Sequence, residues 1–496
     1  MSRGKLLIVD LNNYVRFPTL AIGYLIAPLR QAGFEVELLS PLAHGQSSVM
    51  REHQERFADH AKRWLYMAPP ALLWPHQDRL YEAYAAWQQR LTRSLRDLLE
   101  PQIERSRAQA ILLSAYLTHR AHVEFIAGIA ARSGIPVLLG GPAFNMPGVA
   151  ARWVDIPGIS AVFAGEAEWS VAALADALCR GTSIAGQPGV YTPAALQDPA
   201  HEPRALEPIA RLDELPLPDF SDFPWDRYPH RIVPLMASRG CGWGRCTFCS
   251  DVLTANGRGF RSRRVESVLD EVAGQAERYA TRDFIFLDIK LNSDVALWRG
   301  IVDGMQQRVA GARWIGTVHV DARGDHGLDR GTLERARAGG LTRVSFGLES
   351  GSPRVLRQMA KNCTVERNET FVRDASLAGI SVRATMIVGY PGESAADVDL
   401  STGFLERNLA HLDRINLCRF KPMRGTMFEQ LQQRHPGRFP DVEILGWDAA
   451  TAHASYRPGD GRGRRYRAAV RGLLRAVHAI NRKPLVASAV QFDGLM

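Results

Sequence analysis

The sequence predicts an α/β protein built from two βα-repeating halves. The first is an N-terminal doubly wound, Rossmann-like sheet. The second closes as a partial (βα)6 TIM-like barrel and carries a small helical C-terminal region. Three observations predict this. Short apolar runs alternate with segments of 3.6-residue periodicity over residues 1–180, and the alternation resumes from 231 to about 435. A proline-rich stretch separates the two series. A chain of 496 residues is too long for one ordinary core. The expected divisions are 1–185, a linker over 186–230, a core domain over 231–435 and an extension over 436–496.

In the first half, KLLIVDL (5–11) reads as a buried strand and LAIGYLIAPLRQAG (20–33) as an amphipathic helix ended by Gly33. FEVELLS (34–40), AQAILLSAYL (108–117), IPVLLGGP (135–142) and ISAVFAGEAE (159–168) supply four further strands, with helices between and after them. An insertion at about 46–107, rich in Arg, Glu, Gln, Trp and Leu, reads as two or three helices without recognisable chemistry. Ligands of doubly wound sheets bind beyond the carboxyl ends of the strands. The loops there carry Asn12, Asn13, Ser114, Gly140, Gly141, Pro142, Gly165 and Glu166. The linker contains LPLPDFSDFPWDRYPH, whose prolines enforce extended backbone.

In the second half, IVPLMAS (232–238), FIFLDIK (284–290), ARWIGTVHVDA (312–322), TRVSFGLESGS (342–352), ISVRATMIVGYPGES (380–394) and INLCRFKPMRGT (415–426) read as six strands. Helical patterns lie between them, with VESVLDEVAGQAERYA (265–280) the clearest. Catalytic groups of βα barrels collect at the carboxyl ends of strands. Asp288, Glu349 and the Gly389-Tyr-Pro-Gly loop fall there, and so does a cysteine cluster. The segment 436–496 opens as loop and ends in a basic helix with an apolar stripe of Val470, Leu473, Leu474 and Val477.

Cys241, Cys246 and Cys249 stand in SRGCGWGRCTFCSD with the spacing C-x4-C-x2-C. Three thiolates can hold three corners of a [4Fe–4S] cubane and leave one iron open, whereas a closed structural zinc site wants a fourth ligand close by. Cys179, Cys363 and Cys418 are far away in sequence. A zinc knuckle or three unrelated thiols is the competing reading. Six cysteines in all argue against a disulfide framework and for a reducing, cytoplasmic compartment. The opening residues show no signal peptide, and no apolar stretch reaches membrane-spanning length. The net charge of +9 and a pI of about 9.4 come almost wholly from arginine. Spread over solvated faces, that charge makes nucleic acid an unlikely partner, since no RNA-binding signature accompanies the densest run at 462–467.

The cysteine segment resembles the signature of radical S-adenosylmethionine (SAM) enzymes, in which three cysteines bind the cluster and an aromatic residue precedes the last, as Phe248 does here. The usual spacing in that family is C-x3-C-x2-C. This chain has one extra residue within Gly242-Trp243-Gly244-Arg245. SFGLESGS and VGYPGES also resemble segments of the class that carries an N-terminal cobalamin-binding domain, as do the GGP and GEAE loops of the first half. The resemblance implies SAM contacts from Phe248, Asp288, Ser345, Glu349, Arg383, Gly389 and Pro391. It implies cobalamin contacts from Asn12, Asn13, Ser114, Gly140, Gly141, Pro142, Gly165 and Glu166. The cobalt-ligating D-x-H-x-x-G motif is absent, and His119 is not assigned in its place.

The activity implied is reductive cleavage of SAM to a 5′-deoxyadenosyl radical, with C-methylation of an unactivated carbon of a small molecule or peptide. An electron donor such as flavodoxin or ferredoxin would supply the cluster. Two alternatives stay open: a radical SAM enzyme without cobalamin, methylthiotransferase-like or forming rings, and a non-catalytic metal or nucleic-acid binding module.

Overall fold

The computed structural model describes residues 3–11, 16–46, 53–88, 90–146, 148–196, 203–254, 259–439, 442–458 and 463–495. The first sheet contains β1 (Lys5–Val9), β2 (Glu35–Leu39), β3 (Ala110–Ser114), β4 (Val137–Gly140), β5 (Ala161–Phe163) and β6 (Val190–Tyr191). Its order is β2-β1-β3-β4-β5-β6, parallel except for β6. Along β1 successive side chains enter different cores. Leu6 and Ile8 face one apolar cluster, Leu7 and Val9 the other, and all four are fully buried. A strand covered on both faces must read as a continuous apolar run, as this one does. Strand order reverses between β1 and β3, so the crevice of this sheet lies beyond their carboxyl ends.

The second sheet contains β7 (Ile232–Leu235), β10 (Asp283–Phe286), β11 (Arg313–Val318), β12 (Leu341–Glu349), β13 (Ser381–Val388) and β14 (Arg414–Arg419), all parallel and in sequence order. The two-residue strands β8 (Ser238–Arg239) and β9 (Arg261–Ser262) pair beside the cysteine loop. Six strands in order, without closure, make the expected half-barrel. Its inner floor is formed by Ile232, Ile285 and Ile315, packed with Phe492 and Leu495 from the C-terminal tail. The buried Arg343 donates from Nη1 to the Phe492 carbonyl (3.1 Å) and so fastens the tail inside the barrel.

Three features add to the sequence reading, and the second departs from it. The 46–107 insertion holds three α-helices, Phe57–Met67, Gln77–Gln88 and Arg93–Ser106. The first of them packs on the C-terminal helix Arg464–Asn481, whose Val470, Leu473, Leu474 and Val477 are buried as expected. The start of the 436–496 extension is not plain loop: Val442–Trp447 and Ala454–Pro458 pair as an antiparallel ribbon. Its register shifts near Gly446, so neither strand has a clean apolar alternation to announce it. The linker is also held firmly. Asp219 accepts from Arg30 and Arg278, and Phe220 fills the space over Gly23, where an added Cβ would sit 2.3 Å from the ring. Among the described residues no helix is long and apolar enough to cross a membrane.

Candidate active site

The cysteine loop leaves β8 and is pinned at every turn. Gly240 takes φ +85°, and a side chain there would meet the Gly259 carbonyl at 2.3 Å, so only glycine fits. The Gly242 amide donates to Ser293 Oγ (3.2 Å), and Trp243 Nε1 donates to the Ala360 carbonyl (2.8 Å). Gly244 takes φ +60°, so the extra residue is absorbed in a left-handed turn between Cys241 and Cys246. Thr247 is held on both sides: its amide donates to the Met359 carbonyl, and its hydroxyl lies 2.6 Å from Tyr390 Oη. Tyr390 belongs to the Gly389-Tyr-Pro-Gly loop, so two motifs far apart in sequence share one hydrogen bond.

The three cysteines are part-buried and unbridged. Burial pushes the Cys246 thiol up to about 11 and the Cys249 thiol well above the ordinary range. Such thiols do not ionise alone, and coordination to a metal replaces their proton. Among the described residues, no group of three or more His, Cys, Asp or Glu side chains is drawn together as a single metal ion would draw it. A cubane asks for a wider arrangement, since each thiolate binds a different iron. Three part-buried cysteine donors on a constrained loop fit that group chemically once deprotonated.

The remaining candidates surround this loop from the barrel. Ser345 and Arg383 are direct neighbours across β12 and β13, and both are buried. Glu349 ends β12 with φ +58°, and its Oε1 accepts from Lys361 Nζ at 2.8 Å. Lys361 Nζ also sits 5.8 Å from the ring centre of Phe248. Gly389 donates its amide to Glu393 Oε2 (2.7 Å), which also accepts from Tyr466 of the C-terminal helix; Pro391 is buried in the same turn. Asp288 is engaged otherwise than expected. Both of its oxygens take donors from the cysteine strand: Oδ2 from the Ala237 amide (3.1 Å) and Oδ1 from Ser238 Oγ (2.5 Å). Burial pushes its carboxyl up to about 6 against those hydrogen bonds. The contacts are those of a brace for the cysteine strand.

A cavity of about 490 Å³ lies between the halves. One wall is the carboxyl edge of the first sheet, where Ser114, Gly140, Gly141, Pro142, Gly165 and Glu166 all line it. Met236, Gly240, Leu287 and Ile289 of the barrel form the opposite wall, with Leu495 from the tail. Asn12 and Asn13 lie outside the described residues. Gly141 takes φ +139°, and an added Cβ would be 2.2 Å from the Ala115 carbonyl, so the loop is a tight backbone cradle. An apolar slot with amide and hydroxyl groups at its rim suits a flat macrocycle carrying peripheral amides. His119 does not line this cavity; its Nδ1 accepts from the Tyr116 amide (3.2 Å).

Glu166 does more than line the wall. It accepts from both Arg261 terminal nitrogens (2.8 Å each) and from the Ile209 amide, and it lies 3.2 Å from Arg239. Burial raises its carboxyl, but the two arginines bring it below the ordinary range overall. Arg239 also bonds Glu168. Sequence reasoning missed Lys361, Tyr390, Trp243 and Arg239. A usable signal existed for Lys361: it is one of only six lysines in an arginine-rich chain.

Residues 235–404 match the family model described as the Radical SAM superfamily. Over 277 residues the chain is 30% identical to an uncharacterized methyltransferase of Pyrococcus horikoshii, covering 55% of this chain and 58% of that protein. Over 250 residues it is 26% identical to the bacteriochlorophyllide d C-12(1)-methyltransferase of Chlorobaculum tepidum, covering 49% and 51%. The chain thus spans about half the length of these curated relatives. Among solved structures, the radical S-adenosylmethionine methyltransferase TsrM from Kitasatospora setae, with cobalamin and a [4Fe-4S] cluster bound, superposes with a TM-score of 0.63. That alignment covers 96% of this chain and 91% of TsrM at 17% identity, a likeness of fold.

Proposed function

We propose that this chain, whose residues 235–404 match the radical SAM superfamily model, is a cobalamin-dependent radical SAM enzyme that C-methylates a small molecule or peptide. One observation carries the cobalamin part of this reading. All six described residues that the sequence assigns to cobalamin line a single cavity, and its other wall is the strand region that delivers the cysteine loop. When loaded, the cluster and SAM would supply the electron and the radical, and cobalamin the methyl group.

The chain's own residues hold and exclude. Cys241, Cys246 and Cys249 would ligate the cluster, with the Trp243 and Thr247 contacts fixing the loop between them. Glu349 offers an acceptor for the SAM amino group or ribose, and Ser345 with Arg383 offers a hydroxyl and a bidentate cation on adjacent strands. Phe248 and the Gly389–Pro391 turn would hold the adenine. Asp288 acts at one remove, through Ala237 and Ser238. Ser114, Gly140, Gly141, Pro142, Gly165 and Glu166 would cradle the corrinoid edge. A low-potential donor of the flavodoxin or ferredoxin class would reduce the cluster.

The test is anaerobic reconstitution with iron, sulfide and cobalamin, then desalting, followed by SAM and dithionite. Co-elution of cobalamin and formation of 5′-deoxyadenosine or S-adenosylhomocysteine are expected, and Cys246→Ala should abolish both products. Turnover of SAM without cobalamin retention would overturn the cobalamin assignment. Unchanged turnover by Cys246→Ala would overturn the cluster assignment.

A further inference from the structure

Six non-glycine residues have positive φ among the described residues, and three of them meet at one ion pair: Glu349 (58°), Ala360 (50°) and Asn362 (57°). Left-handed backbone at such residues costs free energy and persists only where surrounding structure fixes it; it gathers at functional sites. Ala360 and Asn362 flank Lys361, so the strained turn exists to aim that one side chain inward. Lys361 is 6% exposed and Glu349 5%. Its amide donates to the Leu356 carbonyl (3.1 Å), and its carbonyl lies 3.2 Å from His319 Nε2. The space is reserved for the pair: an added Cβ at Gly347 would lie 2.1 Å from Glu349 Oε1 and 2.5 Å from Lys361 Nζ.

The other buried lysine in this region, Lys290, is placed differently. Its Nζ donates to Asp321 (2.7 Å), a carboxylate that already takes a second cation in Arg323. Lys361 has a single carboxylate on one side and, on another, the ring of Phe248, the residue just before the last cysteine of the motif. The ion pair with Glu349 at 2.8 Å is that of an ordinary cationic lysine.

We propose that Lys361 is a positioning residue of the cluster and SAM site. Its ammonium holds the Glu349 carboxylate by one oxygen and stands as a positive charge beside the cysteine loop at Phe248. This rests on the reading of Cys241, Cys246 and Cys249 as cluster ligands. A fixed cation beside the cluster favours the reduced, more negative state, and a fixed anion opposes it. The two halves of the pair therefore pull the reduction equilibrium in opposite directions, which a purely structural salt bridge would not do.

The experiment is an electron paramagnetic redox titration of the reconstituted cluster in wild type, Lys361→Met, Lys361→Arg, Glu349→Gln and the double variant Lys361→Met/Glu349→Gln. Iron and sulfide content is measured on each. Lys361→Met is expected to disfavour reduction about tenfold, a shift of about 59 mV to more negative potential for a one-electron couple. Glu349→Gln should shift positive, the double variant should return close to wild type, and Lys361→Arg should rescue most of the loss. If Lys361→Met does not fold, Glu349→Gln and the double variant decide. Potentials that do not move, or that move in the same direction in both single variants, overturn the proposal. A wild-type protein with no reducible cluster overturns the reading beneath it.

Discussion

At the scale of single residues, neighbouring glycines carry different constraints. Gly140 has room: an added Cβ would meet only the Phe163 carbonyl, at 3.7 Å. Gly141 has none, with φ +139° and the Ala115 carbonyl 2.2 Å from the Cβ position. Gly141→Ala should therefore cost about 1–3 kcal/mol from backbone strain alone, and more from the clash with backbone that cannot step aside. Gly140→Ala should be close to neutral. Thermal melting of the two variants measures the contrast, and cobalamin retention should fall with Gly141→Ala alone. Equal behaviour of the two would show that the loop does not form the cradle described.

At the scale of elements, the exposed edge of the half-barrel is the point of weakness. An unpaired edge strand offers its amides and carbonyls to other chains. Here Asn481, at the end of the C-terminal helix, occupies that edge: its Oδ1 accepts from the Ile415 amide (2.7 Å) and its Nδ2 donates to the Ile415 carbonyl (2.9 Å). Nδ2 also reaches Glu55 Oε1 (2.7 Å), which ties in the insertion. Asn481→Ala strands two buried backbone groups and should cost about 2–6 kcal/mol at about 1–3 kcal/mol per orphaned group. Loss of that stability in a denaturant titration, with aggregation on warming, is the expected result.

Acid sensitivity also belongs to the elements. Asp321 is held at about 2 despite its burial by Arg323 and Lys290, and Asp397 at about 2 by Arg354, Ser352 and Ser394. Both are depressed below the ordinary 3.8, so the stability they lend is complete above about pH 4 and is lost as pH falls toward 2. Asp288 has the opposite sign. With its carboxyl raised to about 6, the folded state holds the proton longer than the unfolded one, and stability declines as pH rises from about 4 to about 6. A stability–pH profile of Asp288→Asn should lack that decline and keep the acid limb. A decline that persists in the variant would assign it elsewhere.

Both βα series were legible because two-sided parallel strands write themselves as largely apolar runs, as in β1 and β3. The placement of the candidate residues was also legible: the cysteine loop, Glu349 and the Gly389 turn fall at carboxyl ends of strands, as expected. What stayed hidden depends on partners distant in sequence. Lys361 gains its meaning only when a strained turn meets β12, and Asn481 only when a helix end meets β14. The ribbon at 442–458 has no periodic signature, and the contacts of Asp288 to Ala237 and Ser238 join residues 51 and 50 positions apart.

At the scale of the whole molecule, the cavity exists only while the two halves hold their distance. Arg239, two residues before the first cysteine, reaches across to Glu166 and Glu168, and Arg261 reaches Glu166. Removing one partner of such a part-buried set leaves charge uncompensated, a cost of about 3–5 kcal/mol. Arg239→Met should loosen the interface, speed proteolysis within the 186–230 linker and weaken cobalamin retention, while the isolated spectra of the two halves stay folded. The tail sets the other limit. Phe492 is fully buried among Ile232, Ile285 and Ile315, and Leu495 reaches the cavity itself. Deleting 487–495 empties the barrel floor and strands the buried Arg343. By the scale of large core truncations the loss of Phe492 alone is about 3–5 kcal/mol. The truncated chain should melt at lower temperature and bind an apolar dye that the full chain excludes. Phe492→Ala should do the same in lesser degree, with the rest of the tail still seated. If the truncation leaves melting and dye binding unchanged, the tail is not the floor of the barrel, and the cavity must be closed by something else.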